Sequence, residues 1–257
     1  MRTPQHPTWT LLLSSLLVLG VACSGADKKK DTKLKGGSAE YHYKLSSGYY
    51  HNQQAAMALR EVTLALKQDP DHVQAHYLAG VIYMGRREYN KAITHYKRAV
   101  ALEPLFFDAQ NALGATYLAM KRWDDAASIF ETLTDQALYT SPELAHNNLG
   151  WANYKRRRYT QAAQNFSMSV DLRPSFCLGY NNMGLVMEAQ NQLSEAARYY
   201  NEAIERCPNT YAEPHFNLGK LYADSNRERA RAHFQSCVNI SARSGLGRRC
   251  REYLQGL

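Results

Sequence analysis

From Ala39 onward the chain repeats itself with a period of about 34 residues. Gly80, Gly114, Gly150, Gly184 and Gly219 stand 34, 36, 34 and 35 residues apart. Ala58, Ala92, Ala126, Ala162, Ala196 and Ala230 follow at spacings of 34, 34, 36, 34 and 34. Four residues after each alanine comes a large apolar residue: Val62, Tyr96, Phe130, Phe166, Tyr200 and Phe234. Pro70, Pro104, Pro174 and Pro208 close four of the units. A unit of this length cannot bury an apolar face by itself, so the units must stack on one another. Small residues let the two helices of a unit approach closely. The large residue is expected to fill the gap between neighbouring hairpins, and proline to stop the second helix.

The order of these residues, best seen in Gly80, Tyr83, Ala92, Tyr96, Ala99 and Pro104, resembles the tetratricopeptide pattern. That resemblance implies an all-α fold: a solenoid of six hairpins of helices A and B, at 39–72, 73–106, 107–142, 143–176, 177–211 and 212–244. Pro142 is read as standing just before the helix of the fourth unit, and the A–B turn of the sixth is one residue short. Residues 245–257 remain. Leu246, Tyr253 and Leu254 share one helical face there, which predicts a capping helix over the last hairpin.

The N-terminus reads as an address. Trp9 to Leu19 is apolar for about 16 Å of helix, well short of the ~30 Å bilayer core, so 1–22 is predicted to be a signal peptide. Leu19-Gly20-Val21-Ala22-Cys23 resembles a bacterial lipobox, which implies lipidation of Cys23. The alternative is ordinary cleavage that leaves Cys23 a thiol. Ser24 follows the cysteine, which by the same resemblance implies the outer membrane of a Gram-negative cell. Residues 23–38 would then be the anchor and a polar tether that ends in Gly36-Gly37. Its five lysines either rest on anionic head groups or are simply solvated.

The formal charge of +8 points to an acidic partner or an anionic surface. Nucleic acid is not expected outside the inner membrane. The basic residues gather in the A–B turns, at Arg86-Arg87, Lys121-Arg122 and Lys155 to Arg158, where a solenoid would line them along one rim or simply solvate them. No H-E-x-x-H, G-x-S-x-G, P-loop or G-x-G-x-x-G occurs, and repeats and tether leave no stretch for a catalytic domain. No enzyme, cofactor or metal is therefore expected. His42, His76, His146 and His215 recur at the fourth position of their units, but adjacent units are on the order of 10 Å apart and a zinc ligand lies within about 2.1 Å of its metal, so they are read as helix A packing.

Four cysteines lie in the repeats and cap, in a compartment expected to be oxidising. Cys177 and Cys207 fall at neighbouring ends of one hairpin; Cys237 falls on the last helix B and Cys250 on the cap. Of three possible connectivities, topology favours Cys177–Cys207 with Cys237–Cys250; four buried thiols are the alternative.

In this repeat family five helix A positions usually face the groove. They carry over to Tyr43, Tyr50, Tyr77, Met84, Asn111, Leu118, Leu144, Asn147, Trp151, Tyr154, Leu178, Asn181, Leu185 and Phe216, an apolar trough with an Asn ladder. Part of that surface serves packing between hairpins. Relatives that clamp a C-terminal carboxylate need lysine at the second position; here it reads Glu40, Gln74, Asp108, Leu144, Leu178 and Glu213, which disfavours that mode.

Signal peptide, Cys23, tether and six units together resemble the pilotins of type IV pili, above all those of social gliding motility. That resemblance implies an outer-membrane lipoprotein whose trough binds a secretin and promotes its assembly, in support of pilus-dependent motility. An envelope scaffold for peptidoglycan synthesis or outer-membrane protein assembly is the alternative.

Overall fold

The computed structural model describes residues 37–257, all helix and turn with no strand among them. The signal peptide, Cys23 and nearly all of the tether lie outside the described residues. Six antiparallel hairpins follow one another. They are α1 (Ala39–His51) with α2 (Ala55–Gln68), α3 (Val73–Gly85) with α4 (Tyr89–Leu102), and α5 (Phe107–Ala119) with α6 (Trp123–Thr134). Then come α7 (Pro142–Lys155) with α8 (Tyr159–Leu172), α9 (Cys177–Ala189) with α10 (Leu193–Arg206), and α11 (Glu213–Tyr222) with α12 (Arg227–Ser241). A last helix, α13 (Gly245–Gly256), packs on α12. Helices within a hairpin touch most extensively, and each hairpin packs on the next.

Two local rules set the helix ends. Pro70, Pro104, Pro174 and Pro208 each fall two residues beyond a helix B, and the residue before each proline has left the helical region, as at Glu103 with φ −133° and ψ 91°. The proline ring clashes with a helical residue in front of it, so helix B stops there. Pro142 behaves differently from its sequence reading. It occupies the first position of α7, where the missing N–H has no helical partner to lose and the fixed φ suits the helix.

Each A–B turn in units one to five closes on a residue in the left-handed region: Gln53, Arg87, Lys121, Arg157 and Asn191, all with φ near 60°. Around Arg87, its N–H bonds the Met84 carbonyl and the Glu88 N–H bonds the Tyr83 carbonyl, at 3.0 and 2.9 Å. This Schellman arrangement satisfies carbonyls that the end of helix A would leave open. The basic side chains of these turns therefore stand on a backbone device that any residue can fill at a cost of about 1–2 kcal/mol. The shorter turn of unit six lacks the left-handed residue.

The interior is organised by one contact repeated five times. A Cβ placed on Gly80, Gly114, Gly150 or Gly219 would come within 2.5–2.7 Å of the ring of Tyr96, Phe130, Phe166 or Phe234; Gly184 meets Tyr200 in the same way. All five rings are buried. The ring thus lies flat on the glycine of its own hairpin, rather than filling only the gap between hairpins as expected from sequence. Unit one varies both partners together. Ser46 replaces the glycine, Val62 replaces the ring, and the Ser46 hydroxyl donates to the Ala58 carbonyl at 2.8 Å. A larger residue on one helix is matched by a smaller one on the other.

The fourth-position histidines bond across their own hairpins. His42 meets Glu61 at 2.7 Å and His146 meets Asn165 at 3.2 Å. His76 pairs with His95 at 3.0 Å and His215 with His233 at 3.1 Å, each through two Nδ1 atoms. His76 also reaches the Pro70 carbonyl through Nε2 at 2.9 Å, so His76 donates there and accepts from His95. Burial, reinforced by His76, pushes the His95 pKa down to about 4; burial and His233 do the same for His215, also to about 4.

Two outcomes are expected. Gly150→Ala should destabilise the fold by about 1–3 kcal/mol through collision with Phe166, and adding Phe166→Val, on the pattern of unit one, should recover part of the loss in urea melts. The histidine pairs set the second. The folded-state pKa values of His95 and His215 lie below the ordinary 6.5, so the unfolded chain binds more protons between about 4 and 6.5. Their contribution is complete above pH 6.5 and is lost as pH falls toward 4. Thermal melts at pH 7.5 and 5.0 should show a smaller fall in Tm for His95→Gln with His215→Gln than for the parent chain.

Candidate functional site: a groove at the C-terminal end

The predicted trough does not stay open along all six units. Tyr43 lies against His72, with ring centroids 5.1 Å apart, and Tyr77 sits between Tyr96 and Phe106 at 5.9 and 5.0 Å. Met84 and Leu118 pack on the central hydrophobic cluster, where Met84 Sδ also lies 3.6 Å from the Thr116 hydroxyl. Tyr50 remains partly open, 38% exposed. The N-terminal half of the trough is thus largely occupied by its own packing.

The Asn ladder is likewise turned inward. Asn182 donates to Asn147 at 2.8 Å, Asn148 to Asn111 at 3.3 Å, and Asn217 to Asn181 at 3.0 Å. Asn147 and Asn181 are each only 4% exposed. These bonds join α7 to α9, α5 to α7 and α9 to α11. They stitch successive helices A together, and no buried side-chain nitrogen or oxygen among the described residues lacks a partner. An amide spent in this way is not free to hold a passing backbone.

A groove of about 700 Å³ opens where α7, α9, α11 and α13 converge. Trp151, Leu178, Leu185, Phe216 and Leu246 give it an apolar floor. Of the residues expected in the trough, Trp151, Leu178, Asn181, Leu185 and Phe216 meet here; Asn147 lines a smaller adjoining hollow that shares Trp151, Leu178 and Asn182. Trp151 stacks on Tyr154 at 5.4 Å, with the Lys155 ammonium 4.3 Å from the Trp151 ring. Tyr154 in turn leans on Tyr159 at 5.8 Å, and burial, followed by Tyr159 and Glu188, raises its pKa. The aromatic pair is a firm wall rather than a loose surface.

The cap supplies what sequence reading did not assign to the site. Besides Leu246, its first turns bring Arg248 and Arg249 into the groove. The Ser244 side chain caps α13 by accepting from the Gly247 N–H at 3.1 Å, and a Cβ on Gly247 would strike the Ser241 carbonyl. Gly247 is what lets α13 lie against the end of α12. The structure joins Cys237 to Cys250 and Cys177 to Cys207, with Cα atoms 6.3 and 6.0 Å apart. The first bond ties the cap to α12; the second ties the start of α9 to the end of α10. The doubled arginine of the cap was visible in the sequence. Its position over Phe216, 4.4 Å from the ring centroid for Arg249, was not.

The basic turns are less available than their composition suggests. Arg86 pairs with Glu88 at 2.6 Å and Arg122 with Asp125 at 2.8 Å. Arg156, 16% exposed, reaches Asp124 of the preceding hairpin at 2.7 Å. Arg156 is therefore an inter-hairpin tie, which leaves Arg157 and Arg158 as the open charges of that cluster.

Family models described as "TPR repeat" and "Tetratricopeptide repeat" match residues 86–121, 111–175 and 177–210. Among curated proteins, anaphase-promoting complex subunit 6 of Arabidopsis thaliana is 22% identical over 70% of the chain, which spans only 34% of that protein's length. Type IV pilus assembly protein PilF of Pseudomonas aeruginosa is 24% identical over 66% of the chain and 68% of its own length. A solved structure of Pseudomonas aeruginosa PilF matches 83% of the chain and 96% of itself, at 19% identity and a TM-score of 0.66. The crystal structure of PilW, a widely conserved type IV pilus biogenesis factor, matches 82% of the chain and 97% of itself, at 19% identity and a TM-score of 0.72.

Replacing Cys237 and Cys250 by serine should loosen α13 before the rest. Loss of a cross-link of this size costs about 2–4 kcal/mol. Hydrogen exchange should rise across residues 245–256 while the amides of α3 to α8 keep their protection. Five glycine-seated hairpins, a sixth seated on Ser46, and these matches make the chain a tetratricopeptide-repeat solenoid, similar in fold and in extent to type IV pilus biogenesis factors.

Proposed function

We propose that the chain is a non-enzymatic, lipid-anchored assembly factor for a type IV pilus secretin, held at the outer membrane through Cys23 and facing the periplasm. The observation that carries this reading is the likeness to PilW and PilF along nearly their whole solved lengths. Many repeat arrays share the fold, but here the match takes in 97% and 96% of the two solved chains. The apolar floor around Trp151, Leu178 and Leu185 supports a role in holding an apolar or strand-forming segment. An unpaired secretin edge is an aggregation hazard until a neighbouring subunit covers it. Anchoring would keep the factor where that pairing takes place, since three acyl chains exceed the two signals needed for stable membrane attachment.

Deletion of the gene should abolish the detergent-resistant secretin oligomer in outer-membrane fractions, and pilus-dependent motility with it. Cys23→Ala should shift the protein out of that fraction and reduce the oligomer. A normal secretin oligomer in the deletion strain, accompanied by altered murein labelling or a general porin defect, would instead identify an envelope scaffold of another kind.

A further inference from the structure

Charge is distributed unevenly along the solenoid. From Lys220 to Leu257 the sequence carries eight Lys and Arg residues against three Asp and Glu. In the earlier turns Arg86, Arg122 and Arg156 have local carboxylates, which leaves part of the charge there neutralised. In the groove, Lys220 lies 3.6 Å from Glu188. Arg248 and Arg249 line the same groove, and among the described residues neither has a carboxylate partner. Glu213 also lines the groove and is likewise without a cation partner there. The excess on the cap side is still positive.

The groove's amides are engaged. Asn182 and Asn217 donate to Asn147 and Asn181 across the helices. Recognition of an anionic group therefore falls to the guanidinium groups at the edge of an apolar floor, since Glu213 would repel one. Arg249 is held in place twice over: its guanidinium rests on the Phe216 ring, and its chain neighbour Cys250 is bonded to Cys237 on α12. A guanidinium ordered in advance loses little freedom when it takes a carboxylate, and it can do so through two parallel N–H bonds.

We infer that the partner segment seated in this groove carries an Asp or Glu side chain next to its apolar anchor, and that Arg248 and Arg249 receive that carboxylate. The inference rests on the reading that the groove holds a secretin segment, and it adds the chemistry by which the segment is chosen and oriented. The apolar anchor lies over Trp151 and Leu178, and the acid points toward the cap. Because both arginines belong to α13, the cap is part of the recognition surface as well as a cover for the last hairpin.

The test uses the full-length chain in detergent and the purified secretin of the same organism. A photo-crosslinking residue placed at Leu178 should capture a secretin segment, identified by mass spectrometry, with an acidic residue within about three positions of its apolar contact. Arg248→Gln with Arg249→Gln should weaken secretin binding about tenfold at 50 mM salt, and the difference from the parent chain should shrink by 500 mM as charges are screened. Arg248→Lys with Arg249→Lys, which keeps both charges but not the guanidinium fork, should restore part of the affinity and so separates a lost charge from a disturbed fold. Capture of a secretin segment without an acid, or unchanged affinity in the glutamine variant, would overturn the inference while leaving the groove reading in place. Failure of Leu178 to capture secretin would remove both. Loss of binding to phosphatidylglycerol vesicles by the glutamine variant, with secretin affinity intact, would assign these cations to the membrane and overturn the inference as well.

Discussion

An aromatic ring lying on a bare glycine holds five of the six hairpins of this protein together. In five of six units the ring on helix B occupies the volume that any Cβ on helix A would need. The contact sets the distance and rotation of the two helices at once, and everything else in the unit inherits that geometry. The left-handed turn residue joins two helices already placed, and the proline ends helix B where the next unit must begin. Since one hairpin buries only one face, the geometry also propagates. Tyr96 and Phe130 share a single cluster with Tyr117 and Leu149 of units three and four. Unit one, with Ser46 and Val62 in these roles, shows that the combined volume is what matters, rather than the presence of a ring.

Polar groups add direction to this packing. Bonds between asparagines on successive helices A, and histidine pairs within hairpins, fix the register between units in a way that apolar surfaces alone would leave loose. An unpartnered amide in such a place would cost about 1–3 kcal/mol, so a slip of one hairpin against the next is opposed by every stitch it breaks. The same economy removes these groups from the binding surface. The apolar surface left open lies toward the C-terminal end, where Trp151, Leu178 and Leu185 are not fully buried and the cap covers one side only.

The cap has two consequences for the groove. Its apolar face closes the last hairpin, with Tyr253 stacked on Phe234 at 5.0 Å and Leu254 partly buried beside it. Its first turns face the other way and supply a wall of positive charge. A disulfide bond to α12 makes these two roles a single rigid arrangement.

The sequence by itself determined the fold. Spacings of 34 to 36 residues between glycines, alanines and rings place helices A and B in register, because only a stacked hairpin gives those small and large residues a shared purpose. Pro70 and its equivalents mark the helix ends for a reason that is local and therefore visible. The site was only partly legible. Helix A positions could be named from the repeat, but whether Tyr77 or Asn147 faces solvent or a neighbour depends on what the adjacent hairpin brings, and no period records that. Tertiary structure alone decided that the Asn ladder is spent on itself, that Arg156 ties two hairpins together, and that a groove opens between α7 and the cap. It also placed Arg249 over Phe216. Those two residues are 33 apart in the chain, and they meet because the solenoid ends there and α13 folds back across it.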